Sequence, residues 1–379
     1  QTVVGSETYT SGNVIGGFWL NGVRAGVTAA TIAGGGVRFN ATDLPNRVFD
    51  IGGTVGGGVD NRAGSDDADL INGELATVGG GQGNNASGSR ATVAGGGFNT
   101  ASELDATVGG GQGNNASGPR ATVAGGSGNT ASGYAATVGG GGSNTASGYE
   151  ATVGGGGSNT ASGPYATVAG GGSNTASGYA ATIPGGSQNR ASGTYSFAAG
   201  YYANAQHTGA FVWGDNSTSS YITSTANNQF SARAAGGVRF FSNAAMSTGV
   251  TLAPGSGTWA SLSDRRLKEN FQPVDLDALL HRILQVPVMT WNYRSQPASV
   301  RHIGPMAQDF HAAFGVGEDP TRICSVDADG VALAGIQALY RQMERDRARL
   351  KQLEAENAEL RTQMQALLER VERLEQERR

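Results

Sequence analysis

The stretch "ATVGGGQGNNASGSR", residues 76–90, decides the fold because the chain repeats it every fifteen residues. Eight units run to Tyr195, and a degenerate ninth, "SFAAGYYANAQHTGA", follows at 196–210. In each of the eight units the third residue is Val or Ile, the ninth is Asn and the eleventh is Ala. The apolar positions are Val78, Val93, Val108, Val123, Val138, Val153, Val168 and Ile183, and the asparagines are Asn84, Asn99, Asn114, Asn129, Asn144, Asn159, Asn174 and Asn189.

This repeat predicts a β-solenoid. Fifteen residues are too few for a helical hairpin, and so much Gly, Thr and Ser disfavours helix. The unit fits one coil with two short strands and two turns. Stacking in register would place Val on Val inside and let Asn hydrogen-bond along the stack, while Gly supplies positive φ at the corners. Because the core of one coil is thin, we expect several solenoids to associate.

Other roles for the repeated glycines and threonines are less well supported. A phosphate loop requires Gly-Lys-Ser/Thr, and neither lysine of the chain follows a glycine. A calcium-binding β-roll carries Asp in each unit, and these glycine turns carry none. A flat ladder of threonines (Thr77, Thr92, Thr107 and onward) would suit ice binding, although Thr is also a common strand residue. Ice binding therefore stays as an alternative, and no cofactor or metal ion is expected.

The units resemble the head repeats of trimeric autotransporter adhesins, which have the form SVAIGxxSxASG. Here "ATVAGGGSNTASG" has the same rhythm with one extra residue per coil, over about residues 76–210. The glycine-rich lead from Asn13 is similar in character. The resemblance implies a left-handed parallel β-roll, a homotrimer and a cell-surface location.

The C-terminal segment 336–379 predicts a parallel coiled coil. Ten of the twelve a and d positions are apolar over nearly six heptads, and the pairs Arg349–Glu354, Glu356–Arg361 and Arg370–Glu375 would join opposite charges between parallel helices. The side chains fit a dimer or a trimer. The a and d positions are Ile336, Leu339, Met343, Asp346, Leu350, Leu353, Asn357, Leu360, Met364, Leu367, Val371 and Leu374.

The segment "SDRRLKEN", residues 263–270, contains one of the two lysines of the chain. One interpretation is purely local: Ser263 caps a helix and Asp264 lies in its first turn. The other is a Ser/Lys dyad, in which a desolvated Lys268 acts as the base that activates the hydroxyl of Ser263. Such a dyad needs no separate substrate cleft if the substrate is the chain's own Leu262–Ser263 bond.

Three motifs favour the dyad: "SDRRLKENF", then "RHIGPMAQDF" (301–310), then "SVDADGVALAGIQAL" (325–339). In this order they resemble the intramolecular chaperone domain of endosialidases and phage tail spikes, the S74 peptidase family. The resemblance implies that Ser263 is the nucleophile, that Lys268 is the general base and that cleavage falls before Ser263. It also implies a C-terminal piece that trimerises and helps the upstream β-rich part to fold.

Composition limits the partners. The formal net charge of −4 gives no basic field for nucleic acid, and no apolar run is long enough to span a membrane. We predict a β-rich N-terminal segment at 1–75, a solenoid at 76–210, a β-rich neck at 211–260, a chaperone domain at 261–335 and a coiled coil at 336–379.

The functional prediction is an extracellular, adhesin-like or tail-fibre-like homotrimer that binds a surface glycan or host matrix. A polysaccharide-degrading tail spike is the enzymatic alternative. However, the repeats contain only three acidic residues, Glu103, Asp105 and Glu150, and these form no evident catalytic pair.

Overall fold

The computed structural model describes residues 2–4, 7–9 and 11–378, with side-chain detail from residue 11 onward. Parts of the predicted segment 1–75 therefore lie outside the described residues. The chain divides into two compact units. The first runs to Val238 and includes Ala253–Ser256, and the second comprises Arg239–Leu252 and the chain from Gly257 onward.

The first unit contains two long parallel sheets, which confirm the predicted β-solenoid. The strands of one sheet are Val14–Ile15, Thr31–Ile32, Thr54–Val55, Thr77–Val78, Thr92–Val93, Thr107–Val108, Thr122–Val123, Thr137–Val138, Thr152–Val153, Thr167–Val168, Thr182–Ile183, Phe197–Tyr201, Phe211–Gly214 and Phe230–Arg233, with Gly186–Ser187 beside them. Those of the other are Gly22–Val23, Arg47–Val48, Arg62–Ala63, Asn85–Ala86, Thr100–Ala101, Asn115–Ala116, Thr130–Ala131, Thr145–Ala146, Thr160–Ala161, Thr175–Ala176, Arg190–Ala191, Ala203–Ala205 and Ile222–Thr223.

The solenoid sheets extend to both sides of residues 76–210. They begin at Val14 and continue to Arg233, so they include part of the segment predicted as a neck. A third line of parallel bridges joins Val59, Gln82, Gly97 and their equivalents up to Ser187. Two short antiparallel hairpins precede the regular coils, Thr2–Val4 with Glu7–Tyr9 and Val37–Phe39 with Thr42–Leu44.

The register of the coils explains the repeat. Thr107 pairs with Thr122, and Val108 with Val123, so identical residues stack. The stacked valines and alanines are completely buried, whereas the threonines face outward and are half-buried. Each coil therefore adds one Val or Ile and a few Ala to a continuous core, and its stability depends on its neighbours.

The repeated asparagines are buried and bond the coils together, as their position predicts. Asn114 Nδ2 donates to Gly110 O at 2.8 Å within its own coil and to Gly126 O at 2.9 Å in the next. Its Oδ1 accepts from the backbone N–H of Asn129 at 3.0 Å. One buried side chain thus bonds two carbonyl oxygens and one buried N–H, which explains why Asn recurs there.

Glycine is required where two coils approach most closely. Gly111 has φ +88°, and a Cβ there would collide with the carbonyl oxygen of Gly126. Gly125, by contrast, has open space around its Cα. The glycine runs therefore contain both obligatory and replaceable positions.

A charged cluster lies at the end of the solenoid sheets. Arg233 Nε donates to Asp215 Oδ1 at 2.9 Å, and its Nη2 donates to the carbonyl oxygens of Tyr201 and Asp215. The hydrogen bond from Ser217 and then that from the Ala235 N–H, with the Arg233 contact, lower the pKa of the Asp215 carboxyl well below its usual range. This network satisfies backbone carbonyls after the last coil.

The second unit is mixed α and β. A three-stranded sheet is formed by Val238–Phe241, Gly249–Leu252 and Trp259–Ser261, and a hairpin by Met289–Trp291 and His302–Gly304. The helices are α1 (Leu276–Gln285), α2 (Ala307–Phe314) and α3 (Ser325–Glu377). Helix α3 begins before residue 336, so the last predicted chaperone motif and the predicted coiled coil form one continuous helix. No helix among the described residues is long and apolar enough to cross a membrane.

Candidate active site

The local fold brings Ser263 and Lys268 together. The strand Trp259–Ser261 ends at the predicted cleavage point, where the Leu262 N–H donates to Gly249 O at 3.1 Å. A single 3-10 turn, Arg265–Leu267, then reverses the chain. Its cap is Asp264, whose side chain accepts from the Arg266 N–H at 2.9 Å, so the interpretation of Ser263 as a helix cap is wrong. The hydroxyl of Ser263 is therefore available for another partner.

That partner is Lys268, whose Nζ donates to Ser263 Oγ at 2.6 Å. A base must lie within this range of the proton it abstracts. Both side chains are exposed in the single chain. The observed contact therefore has the geometry of a dyad but not the burial that a lysine base requires.

A cleft of about 700 Å³ adjoins the two residues. Its first wall includes Leu262, Ser263 and Lys268, and its second wall comes from the loop before α3 and the first turn of α3. Residues of the second wall include Gly317, Glu318, Asp319, Arg322, Ile323, Cys324, Val326 and Asp327. No pattern in the sequence places residues 317–327 beside Ser263, because about fifty residues separate the two segments.

The charge in this cleft is mostly negative. Glu318, Asp319 and Asp327 line it, with Arg322 as the basic residue of the second wall. The hydrogen bonds from Thr321 lower the pKa of the Asp319 carboxyl, which therefore stays ionised. Lys268 therefore shares the cleft with three carboxylates and one guanidinium.

The predicted a and d positions of α3, called the seam from here on, are exposed along the whole helix. All ten apolar a and d side chains are at least 37% exposed, from Ile336 to Leu374. The same helix does bury another face near its start, where Ala338 is buried and Ile283 of α1 lies against Gly335. An ion pair between Arg345 and Asp277 at 2.6 Å fixes α1 on α3. Packing of α1 therefore leaves the seam free for other helices.

Two of the three acidic residues of the repeats have partners of their own. Asp105 is paired with Arg90 at 2.7 Å, and that hydrogen bond lowers the pKa of the Asp105 carboxyl. Glu150 lies three coils further along and interacts with Tyr149. Among the described residues, no group of three or more His, Cys, Asp or Glu side chains is placed to hold a metal ion.

Comparison with known proteins supports the identification of the C-terminal region. Residues 263–316 match the family model for the chaperone of endosialidase, peptidase S74, and the match begins at Ser263. A search of curated proteins gave no match. A chaperone segment of this family behind a β-solenoid indicates a tail-spike-like or fibre-like protein.

Proposed function

We propose that the chain is an extracellular fibrous protein whose C-terminal region, 263–379, aligns three copies and then cleaves itself from the solenoid at Leu262–Ser263. The observation that carries this proposal is the 2.6 Å contact between Lys268 Nζ and Ser263 Oγ, at the first residue of the family match. The solenoid would act as the surface-binding part, with a glycan or host-matrix ligand.

The proposed cleavage balances without a cofactor. Neutral Lys268 takes the proton from Ser263 Oγ, and the oxygen attacks the carbonyl carbon of Leu262. The C–N bond breaks as Lys268 returns the proton to the departing nitrogen, which leaves an ester between Leu262 and Ser263 Oγ. Water then hydrolyses the ester, giving the carboxylate of Leu262 and the free Ser263 amine. Each chain reacts once.

Activation is expected to follow assembly. Lys268 is exposed and faces an open cleft, whereas a lysine that acts as a base is desolvated. Contact with a second copy would remove water from the cleft and favour the neutral amine. On this basis, unassembled chains stay whole, and cleavage occurs only after the copies have assembled.

The seam of α3 supplies the driving force for alignment. Ten exposed apolar side chains on one face of a 53-residue helix have no partner within the described chain. Leaving them in water is unfavourable, and parallel coiled-coil packing would bury them. Because coils of the solenoid are nearly identical, a register slip by one unit would otherwise cost little. A parallel helix bundle at one end of the chain would align the three solenoids in the same register.

The test measures native mass in a Ser263→Ala background, so that cleavage does not alter the particle. The unmodified seam should give three times the 38.4 kDa chain mass. Replacing Leu360 and Leu367 by Glu should abolish that species, because charges at d positions oppose packing. Replacing Ala355 and Thr362 by Glu, at positions outside the seam, should preserve it. An unchanged mass in the seam variant would refute assembly through α3.

A further inference from the structure

Five tyrosines form a continuous ladder on one corner of the solenoid. Neighbouring ring centroids are 5.2, 5.6, 5.4 and 5.6 Å apart, from the first ring to the last. The last four side chains are 44–64% exposed, and the first is half-buried. The ladder consists of Tyr134, Tyr149, Tyr165, Tyr179 and Tyr195.

Two rings of the ladder lie at a turn position whose backbone has positive φ. The corner is a four-residue turn, closed for example by the Ala166 N–H and Gly163 O at 3.1 Å. Tyr165 and Tyr195 occupy its third position with φ +59° and +55°. The same position has positive φ in the other regular coils, for example at Arg90 and Ala135, so this conformation belongs to the turn and the two tyrosines fit into it.

The turn position of the ring differs between coils, although the contacts between the rings continue. In three coils the ring stands at the second turn position, whereas Pro164 and Thr194 occupy that position in the other two. In those two coils Tyr165 and Tyr195 replace the missing ring from the third position, and the contacts along the ladder continue. Their planes are turned by 74° and 88° from that of Tyr179.

The ladder is rigid and polar at its edges. The Tyr165 N–H donates to Tyr149 O at 2.8 Å, and the equivalent bond joins Tyr195 to Tyr179. Arg120 lies over the ring of Tyr134 and donates to its hydroxyl. The hydrogen bond to Glu150 raises the pKa of the Tyr149 hydroxyl. Fixed aromatic surface with hydrogen-bonding groups around it suits a ligand that is part apolar and part polar.

A contact between copies of the chain explains the ladder less well. Coils before residue 134 have no tyrosine at this corner, and they carry instead the exposed ion pair Arg90–Asp105. An interface between parallel solenoids would repeat along all coils, whereas the ladder is confined to five. Burial against a protein would also desolvate the charged Glu150 beside the rings.

We propose that the tyrosine ladder binds an extended, neutral, β-1,4-linked polysaccharide that runs parallel to the solenoid axis. The C–H faces of pyranose rings pack on aromatic rings, and their hydroxyls can bond the tyrosine hydroxyls and charged neighbours. Two coils advance by roughly 9–10 Å at the usual strand spacing, which is close to the length of a disaccharide in such a chain. The inference deepens the proposed surface-binding role of the solenoid and rests on it.

The experiment uses the full chain and two soluble probes, cellohexaose and chitohexaose, with affinity measured by titration calorimetry. The ladder variant combines Tyr149→Ser, Tyr165→Arg and Tyr195→Arg. The introduced Ser and Arg already occur at the same turn positions in other coils, where they are Ser89, Arg90 and Arg120. The control is Phe98→Ser, which removes an exposed ring at another corner where Ser143 stands in a later coil.

We expect the wild-type chain and the Phe98 variant to bind at least one probe equally. The ladder variant should bind it at least about tenfold more weakly, as expected for the loss of several aromatic contacts. Failure of the wild type to bind either probe, or equal binding by the ladder variant, would overturn the proposal. A change in native mass of the ladder variant would also overturn it, by identifying the ladder as a contact between copies. None of these outcomes depends on assembly through α3 or on cleavage, so the two proposals fail separately.

Discussion

Replacing Asn114 by Ala should strongly destabilise the solenoid, because the buried side chain joins neighbouring coils. The change removes the hydrogen bonds to Gly110 O, Gly126 O and the Asn129 N–H. Gly126 O keeps a second donor, the N–H of Gln112 at 2.9 Å. The N–H of Asn129 is left buried without its partner, and the carbonyl oxygen of the half-buried Gly110 loses its donor.

The magnitude follows from these three contacts. One orphaned buried polar group costs about 1–3 kcal/mol and each of the two other lost hydrogen bonds about 1 kcal/mol, so the sum is about 3–5 kcal/mol. That is a large fraction of the free energy of unfolding of a typical domain, about 5–15 kcal/mol. Because coils are stabilised mainly by their neighbours, the loss should divide the array at this coil.

The neighbouring Asn115 provides a matched control. Its residue is half-buried, its Oδ1 is buried without a hydrogen-bond partner to lose, and Thr occupies the equivalent position in five other units. Asn115→Thr should therefore change the free energy of unfolding by less than about 0.5 kcal/mol. Guanidinium unfolding followed by circular dichroism, in the Ser263→Ala background, gives both values. Hydrogen exchange should show faster opening around the altered coil. Equal midpoints for the two variants would refute the argument that the asparagine ladder stabilises the stack.

Two further changes test the ends and the corners of the coils. Because the folded-state pKa of Asp215 is lowered, its stabilising effect is complete above its unfolded pKa of about 3.9 and is lost as pH falls toward the folded value. Thermal melts should thus show that the stability of the wild type decreases below about pH 5. The Asp215→Asn variant should be less stable than the wild type at pH 7 and should lose less stability in acid. Parallel curves of stability against pH for the two proteins would contradict the role given to the bond with Arg233. Gly111→Ala should prevent normal folding because its Cβ would meet Gly126 O, whereas Gly125→Ala should be tolerated. Similar yields of soluble, β-rich protein from both glycine variants would show that the corner has more room than the structure gives it.

The repeat made the solenoid predictable because its period, its Val and its Asn each constrain the coil independently. Burial of Val108 and the bonds of Asn114 follow directly from stacking in register. The extension of the sheets to Val14 was less evident, since coils before residue 76 have unequal lengths and carry a hairpin. An insertion at a corner leaves the sheets intact but hides the period.

The candidate site was predictable only in part. The spacing of Ser263 and Lys268 within one turn is local, so sequence could suggest their contact. The cap at Asp264 was missed because Ser and Asp are both good caps and a one-turn helix has no periodic pattern. The opposite wall of the cleft depends on tertiary packing of the α3 N-terminus, which no local pattern encodes. The tyrosine ladder did have a signal, the recurrence of Tyr at one of two adjacent turn positions in each of the last five regular units.

The central claim is that the Ser263–Lys268 contact is a working dyad, and the denatured intact mass tests it most directly. Wild type, Ser263→Ala and Lys268→Ala are purified under conditions that permit folding and assembly. The proposal predicts that wild type separates into pieces 1–262 and 263–379 while both variants stay whole. A wild-type chain that stays whole as an assembled trimer, or cleavage that persists in the Lys268 variant, would contradict it.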